Sequence, residues 1–501
     1  MSKENIYRTA VYVTAFSVAE KFFGFLYRII LSRTLGSEGM GIYQIALSVF
    51  AVLITATSSG LPLAVSRLIT KHRTNGNRKA EHSTVSAAVI IAASFSLPVF
   101  FIMFFANHLF SFLFADPRCM AVLVILLPGL TFNSIYSVLR GVLWGNKKFI
   151  PYCVIDLIEE LVMIATGTAL VAGMTSVIDG AKRVALAVVL SYLVSFSLAT
   201  IYFFVKGGQL KNPKNAFKPL LATALPVSGM RTSASLINSA ISLLLPIRLA
   251  AVGFSAEQAM SDIGVMMGMS MPVLSIPATL IGSLSLVMVP ELSEFYFRKQ
   301  YKKLADNIEK AIKITTLIAC VLIPMLFVLG EDLGIILFGN EMSGRAIMLC
   351  CPMLLPMSLN MITTGILNSL GCEKQTCGFF FVGAVATLAC TWFLPSVIGV
   401  YAQTAGIAAS SLVCCILNIR LILKKNKEKV RFFKHTFICT ISIFPVILFG
   451  KLLHDLFNNF MPLFPAAIAT ATILLAANAL FLFAIGLAEP KWVRILLKKP
   501  Q

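Results

Sequence analysis

Apolar stretches and short polar loops alternate along this 501-residue chain from residue 9 to residue 487. The stretches lie at 9–32, 40–70, 83–106, 119–145, 149–173, 184–206, 219–250, 260–290, 308–330, 344–370, 377–398, 402–423, 432–453 and 463–487. Most reach the roughly 20 residues that a helix needs to cross the hydrocarbon core of a bilayer. Charged residues make up only 13% of the chain and hydrophobic ones 58%, whereas a soluble domain averages roughly 25% charged. This much apolar surface has to face lipid, with its backbone satisfied inside helices. The runs are continuous, unlike the alternating strands of about ten residues in an outer-membrane barrel. The expected fold class is an all-α polytopic membrane protein of about 14 transmembrane helices.

The loops fix an orientation. One side of the alternation collects Lys71, Arg73, Arg78, Lys79, Lys147, Lys148, Lys206, Lys211, Lys214, Arg298, Lys299, Lys302, Lys303 and Lys374. The terminal and late clusters Lys3, Arg8, Lys424–Arg431 and Lys491–Lys499 fall on the same side. The other side holds only Arg33, Arg118, Lys182, Arg183, Arg345 and Lys451. Basic residues mark cytoplasmic loops, so both termini are expected in the cytoplasm of a bacterial cell. The net charge of +20 then serves topology and contact with anionic membrane lipid; nucleic acid is not the expected partner.

The eleven cysteines lie mostly inside apolar runs and show neither zinc-site nor secreted-disulfide spacing. The five histidines form no cluster, so no metal site and no catalytic residue is expected. Glu20 and Lys21 interrupt the first apolar run, unlike the apolar centre of a cleaved signal peptide, so that span is expected to be retained. From Glu291 to Glu309, aromatic and basic residues mix as they would in an amphipathic helix lying on the inner membrane surface.

An internal repeat is visible. Pro128–Gly145 lies on Pro352–Ser369 without a gap, at an offset of 224 residues, with Pro128 on Pro352, Gly141 on Gly365 and Leu143 on Leu367. An offset of about six helices implies two halves of the same orientation, with a cavity near the midplane. The expected organisation is an N-terminal lobe at 1–206, a pseudo-symmetric C-terminal lobe at 207–424, and two added helices with a tail at 425–501.

Charges inside spans carry the functional signal, because each costs roughly 2.5–3.5 kcal/mol at a helix centre on insertion scales. In the first span Thr14, Ser17, Lys21 and Arg28 form one helical stripe beside Gly24, expected to face a wet cavity. Glu20 could pair with a base, bind a proton or cation, or offset Lys21. In the seventh span Ser228, Arg231, Ser235, Asn238 and Ser242 form a second stripe, with Arg248 placed as Arg28 is in the first. The serines suit helix–helix hydrogen bonding; Arg231 suits the cavity. Arg67 and Arg140 sit near inner span ends, and Asp156, Glu159 and Glu160 lie in the fifth span. Arg140 could lock an inner gate by pairing with this acidic group. Prolines inside spans, such as Pro62, Pro226, Pro246 and Pro277, allow bending but also occur in static bundles.

The segments Leu35–Gly36–Ser37–Glu38–Gly39–Met40–Gly41–Ile42–Tyr43 and Ser59–Gly60–Leu61–Pro62 onward to Arg67 resemble the polysaccharide-exporter family. So do Arg140–Gly141, Gly145, Pro151–Tyr152 and Ile158–Glu159, and in the second half Gly365–Ile366–Leu367 and Gly406–Ile407–Ala408–Ala409. That family belongs to the multidrug/oligosaccharidyl-lipid/polysaccharide exporter superfamily, and the likeness is to its sporulation branch. The resemblance implies two six-helix lobes, no cofactor, and flipping of an undecaprenyl-diphosphate-linked sugar, the peptidoglycan precursor lipid II foremost, for cell-wall or spore-cortex synthesis. It implies cell-wall synthesis enzymes as partners and the membrane potential or a Na+ or H+ gradient as a power source. By position, Arg28, Arg67 and Arg231 carry over as diphosphate ligands, with Lys21, Asn238 and Arg248 completing the substrate-binding set. Glu20, Arg140, Asp156 and Glu159 are the ion-coupling or gate set. Glu20–Lys21 matches no family site, and Ser369 stands where a glycine is usual, which leaves ion coupling open. The alternatives are a cation-coupled drug antiporter of the same superfamily, in which Glu20 would exchange the ion, and a membrane enzyme. The short outer loops and the lack of a catalytic set or nucleotide-binding loop argue against the enzyme.

Overall fold

The computed structural model describes residues 3–426, 428, 430, 433–484 and 486. It is helical throughout, with no strand among the described residues. Among the described residues, each of the fourteen expected spans falls on helix, and twelve stretches are long and apolar enough to cross a membrane. Two features separate these numbers. The first two spans form one continuous stretch, Ala15–Thr74, and the helix Phe149–Val171 is burdened by Asp156, Glu159 and Glu160. The expected basic residues Lys427, Lys429, Arg431 and 491–499 lie outside the described residues, as does the side chain of Thr14.

By packing, the chain divides at Gly264 and Val265. The first unit contains α1 Lys3–Ser58, α2 Leu61–Thr74, α3 Arg78–Phe105, the single turn α4 Asn107–Phe110, α5 Pro117–Gly145, α6 Phe149–Val171, α7 Val177–Val205, α8 Phe217–Ala251 and α9 Ala256–Ile263. Gly36, at φ 71°, bends α1 between the first two spans. Helix α5 is the hub, packing on α1, α2, α3 and α7 through Leu123, Leu126, Leu127 and Leu130, all fully buried. Its Gly141 admits α2 so closely that a Cβ there would lie 2.7 Å from the Pro62 carbonyl oxygen. Helices α8 and α9 pack on α1, so the packing boundary lies beyond the 206/207 boundary read from the repeat.

The second unit contains α10 Met271–Phe297, α11 Tyr301–Leu333, α12 Glu341–Cys350, α13 Leu354–Ser369, α14 Glu373–Phe393, the turn α15 Pro395–Ile398, α16 Tyr401–Lys425, α17 Phe433–Asn458 and α18 Leu463–Ala484. Here α13 packs on α10, α11 and α16. Its Gly365, the repeat partner of Gly141, lies against Ser285 of α10. The repeat thus reappears as packing within each unit. Helices α17 and α18 dock on α11, where Asn478 Nδ2 donates to the Cys320 carbonyl at 3.1 Å. Phe437, Phe444 and Phe464 remain exposed on their outer faces, as lipid-facing side chains would be.

Among the described residues, five connections on the lysine- and arginine-rich side share a left-handed turn, centred on Gly76, Lys147, Gly207, Lys299 and Gly371, with φ between 57° and 81°, and Gly253, at φ 104°, makes a similar turn between α8 and α9. In each of the five, the next amide closes a six-residue ring of the Schellman type: Asn77 to His72, Lys148 to Leu143, Gly208 to Phe203, Gln300 to Phe295 and Cys372 to Leu367, at 2.8–3.0 Å. Lys147 and Gly371 keep the 224-residue offset of the repeat. These turns fall in the loops that concentrate lysine and arginine.

The turn at Lys299 corrects one expectation. Glu291–Glu309 is not a separate surface helix. It is the end of α10, a tight turn and the start of α11, with Leu292, Leu304 and Ile308 in the apolar core. Its amphipathic pattern arises because two buried helix ends flank a solvated basic turn.

Candidate functional site: a polar cluster among α1, α5, α6 and α7

Helices α5 and α6 are antiparallel neighbours joined by the Lys147 turn. This brings Arg140, one turn before the end of α5, opposite Asp156, two turns into α6. Arg140 Nη2 lies 3.1 Å from Asp156 Oδ1, and the buried Tyr136 hydroxyl donates to the same oxygen. The guanidinium sits 4.9 Å from the Tyr136 ring centre and 5.4 Å from that of Tyr152. Two rings and a carboxylate therefore hold the cation by ion pairing and by cation–π attraction.

The first helix closes the cluster. Glu20 has Asp156, Lys21 and Arg140 as its electrostatic neighbours. One turn on, Gly24 leaves room for Glu160, whose Oε1 would lie 2.9 Å from a Cβ at that position. Arg28 faces Glu160 and the buried Tyr43. Glu159 points toward Ser195 of α7, Asp156 and Arg140. Four carboxylates, Glu20, Asp156, Glu159 and Glu160, thus meet two arginines, Arg28 and Arg140, in the interior of a membrane unit, with the exposed Lys21 beside Glu20. Arg140 Nε, Glu159 Oε2 and the Tyr27 hydroxyl are buried without a hydrogen-bond partner. Unmade hydrogen bonds in a shielded site are costly, so the cluster can accept a proton or a small cation, or repack when a neighbour moves. Among the described residues, no three His, Cys, Asp or Glu side chains are placed to hold a metal ion.

The other sequence candidates stand elsewhere in the first unit. Helix breaks at Ser59–Gly60, between α1 and α2, and α8 repairs the break. Ser228 Oγ accepts the Gly60 amide at 3.0 Å, and Arg231 Nη1 donates to the Ser59 carbonyl at 3.1 Å. Arg231 is nonetheless exposed, as are Asn238 on the same helix, Arg67 on α2 and Lys21 on α1; Arg248 is half-buried. Ser242 bonds within its own helix, to the Asn238 carbonyl. The structure brings Glu20, Arg28, Arg140, Asp156 and Glu159 into one cluster and leaves Arg67, Arg231 and Asn238 on exposed faces of other helices.

Sequence reasoning did not single out the tyrosines. Tyr136 precedes Arg140 by four residues and Tyr152 precedes Asp156 by four, so both could have been found as same-face neighbours of the charges. Tyr43, beside Arg28, and Tyr192 of α7, a neighbour of Glu159 and Arg140, are brought in only by tertiary packing.

Comparison with known proteins places this geometry in context. Residues 6–296 match the sequence family described as "Polysaccharide biosynthesis protein". The chain is 25% identical over 411 residues to stage V sporulation protein B of Bacillus subtilis (strain 168), spanning 76% of this chain and 78% of that protein. It is 26% identical over 309 residues to sporulation protein YkvU of the same organism, spanning 58% and 66%. Among solved structures, the lipid II flippase MurJ in an inward closed conformation is similar, with a TM-score of 0.67 and 15% identity over 95% of this chain and 99% of that one. An inward-facing multidrug resistance MATE family transporter of the MOP superfamily is similar with a TM-score of 0.65 and 17% identity, over 82% and 96%. At these identities the two structures establish a shared fold.

Proposed function

We propose that this chain, which belongs to the polysaccharide biosynthesis protein family, moves an undecaprenyl-diphosphate-linked sugar from the inner to the outer leaflet of a bacterial cell membrane by alternating access. Lipid II, the peptidoglycan precursor, is the favoured cargo, for cell-wall or spore-cortex synthesis alongside the enzymes that use it. Both termini lie in the cytoplasm. The protein is a transporter rather than an enzyme.

One observation carries the reading. Arg231 lies within the membrane-spanning helix Phe217–Ala251 and is exposed while its guanidinium also grips the broken backbone at Ser59. An exposed guanidinium at membrane depth belongs in a wet cavity, not in lipid. It can offer a diphosphate charge-assisted, bidentate hydrogen bonds, while the polyprenyl tail stays in the bilayer. Arg67, Lys21, Asn238, Arg248 and Arg28 are the other members of the substrate-binding set in this reading. Glu20, Asp156 and Glu159 form the ion-coupling group, with Arg140 as the gate partner, driven by the membrane potential or by a Na+ or H+ gradient. The test is leaflet exchange of lipid II in proteoliposomes: Arg231→Ala is expected to abolish exchange in a protein that still folds, and undiminished exchange would end the proposal.

The second reading, a cation-coupled drug antiporter, draws on the three carboxylates around Arg140, with Glu160 beside Glu20. Efflux of a cationic dye down an imposed ion gradient, lost in Glu20→Gln, would favour it.

A further inference from the structure

A cavity of about 550 Å³ opens among the ends of α2, α5 and α7 and the starts of α3 and α6, apart from the carboxylate cluster. Its volume is within the range of about 300–1,000 Å³ typical of ligand sites. The floor is apolar and buried, with Ile69, Val85 and Leu143. The rim is basic: Arg73, Arg78, Lys148 and Lys206 line it, against the single carboxylate of Glu81.

The four basic side chains are exposed, and two of them are held in place. Arg73 Nη1 is held on the Asn146 side chain at 2.8 Å, and the Lys206 ammonium sits 5.9 Å from the Tyr202 ring centre. The strand of chain after α7 is stitched to α3: Lys211 N donates to Ser86 Oγ at 2.8 Å, and Gln209 N donates to His82 Nδ1 at 3.2 Å. Because His82 accepts at Nδ1, its proton sits on Nε2, which makes that nitrogen a donor. Glu81 Oε1 is buried without a hydrogen-bond partner, and its one charge stands against four basic side chains.

Helix ends at the membrane boundary, a basic rim and an apolar floor together describe an amphiphile with an anionic head. We propose that this cavity binds an anionic phospholipid, with the headgroup phosphate on Arg73, Arg78, Lys148 and Lys206 and the first chain atoms over Ile69, Val85 and Leu143. The apolar floor favours a lipid over a soluble phosphate, because inorganic phosphate would gain nothing from it. Basic pockets between transmembrane helices are established headgroup sites in general.

The test uses the full chain in detergent micelles, with native mass spectrometry to count bound lipid. The probes are phosphatidylglycerol, phosphatidylcholine, glycerol phosphate and inorganic phosphate. Phosphatidylglycerol is expected to bind in preference to the other three. Lys148→Gln with Lys206→Gln should weaken it about 30-fold, at about fivefold for each lysine near a headgroup. Glu81→Gln should tighten it several-fold, an effect that a purely structural role for Glu81 would not produce. The charge-matched control Lys302→Gln with Lys303→Gln, on exposed residues of the first turn of α11, should leave binding unchanged. Equal binding of phosphatidylcholine, or equal loss in the control, would overturn the site. Soluble phosphates that bind as tightly as the lipid would overturn the lipid assignment. If the double lysine variant melts early, the Glu81→Gln result still decides.

Discussion

Removing Arg140 should expose how the α5–α6 pair is held. The arginine is 29% exposed and Asp156 12%, so the pair is largely shielded from water. Taking one partner from a buried pair costs about 3–5 kcal/mol, because the other charge is left uncompensated. The residual exposure of Arg140 places the ion-pair part near the lower end, about 3 kcal/mol. The two ring contacts, at 4.9 Å and 5.4 Å, add about 0.5–1 kcal/mol each. Arg140→Ala is therefore expected to destabilise by about 4 kcal/mol. Asp156→Asn leaves an acceptor for the Tyr136 hydroxyl but strands the guanidinium. In the double variant neither charge is orphaned, so the combined loss should fall short of the sum of the single losses by about 2 kcal/mol, within the 0.5–3 kcal/mol usual for contacting pairs. The assay is reversible unfolding in mixed micelles, followed by helical circular dichroism for the wild type, both single variants and the double variant. Additive losses, within about 0.5 kcal/mol, would refute the pairing. The corresponding cycle with Glu159→Ala should give a smaller coupling, since Glu159 is a neighbour of Arg140 and Asp156 holds the direct 3.1 Å contact.

Other expectations follow from local geometry. Lys299→Gly replaces a left-handed L-residue, φ 58°, and should raise stability by up to about 1 kcal/mol; a lower melting temperature would contradict it. Gly41→Ala should be severely destabilising, because a Cβ would collide with the Met260 carbonyl oxygen of α9. Gly365→Ala should be milder, because its obstacle is the Ser285 hydroxyl, which can rotate; equal melting temperatures for the two variants would undo this distinction. Ser228→Ala removes the acceptor of the Gly60 amide and should cost about 1 kcal/mol in the same unfolding assay, with no loss expected in Ser235→Ala.

Much of the fold was legible because the bilayer imposes one length scale. Apolar runs of the right length became helices, and the 224-residue repeat reappeared in the paired packing of Gly141 and Gly365. What misled the reading of Glu291–Glu309 was a lysine in a left-handed turn. Nothing in the local composition marks that conformation when glycine is absent. The carboxylates and arginines of the polar cluster were visible as costly charges, whereas which of them meet depends on the crossing of α1 over α5 and α6, set by Gly24 and Gly167. At Gly167 a Cβ would collide with the Tyr27 hydroxyl. Arg231 was read as facing a cavity; Gly60 and Pro62 mark the helix break at Ser59–Gly60 in the sequence, but which helix would satisfy the freed Ser59 carbonyl is set only by tertiary packing.

Transport of lipid II across the bilayer of proteoliposomes containing the purified chain, with and without Arg231→Ala, tests the central claim most directly. The expected result is leaflet exchange by the wild-type protein and its loss in a variant that keeps the wild-type unfolding transition. Exchange that proceeds equally well without the Arg231 guanidinium would contradict a diphosphate-binding flippase built around that residue.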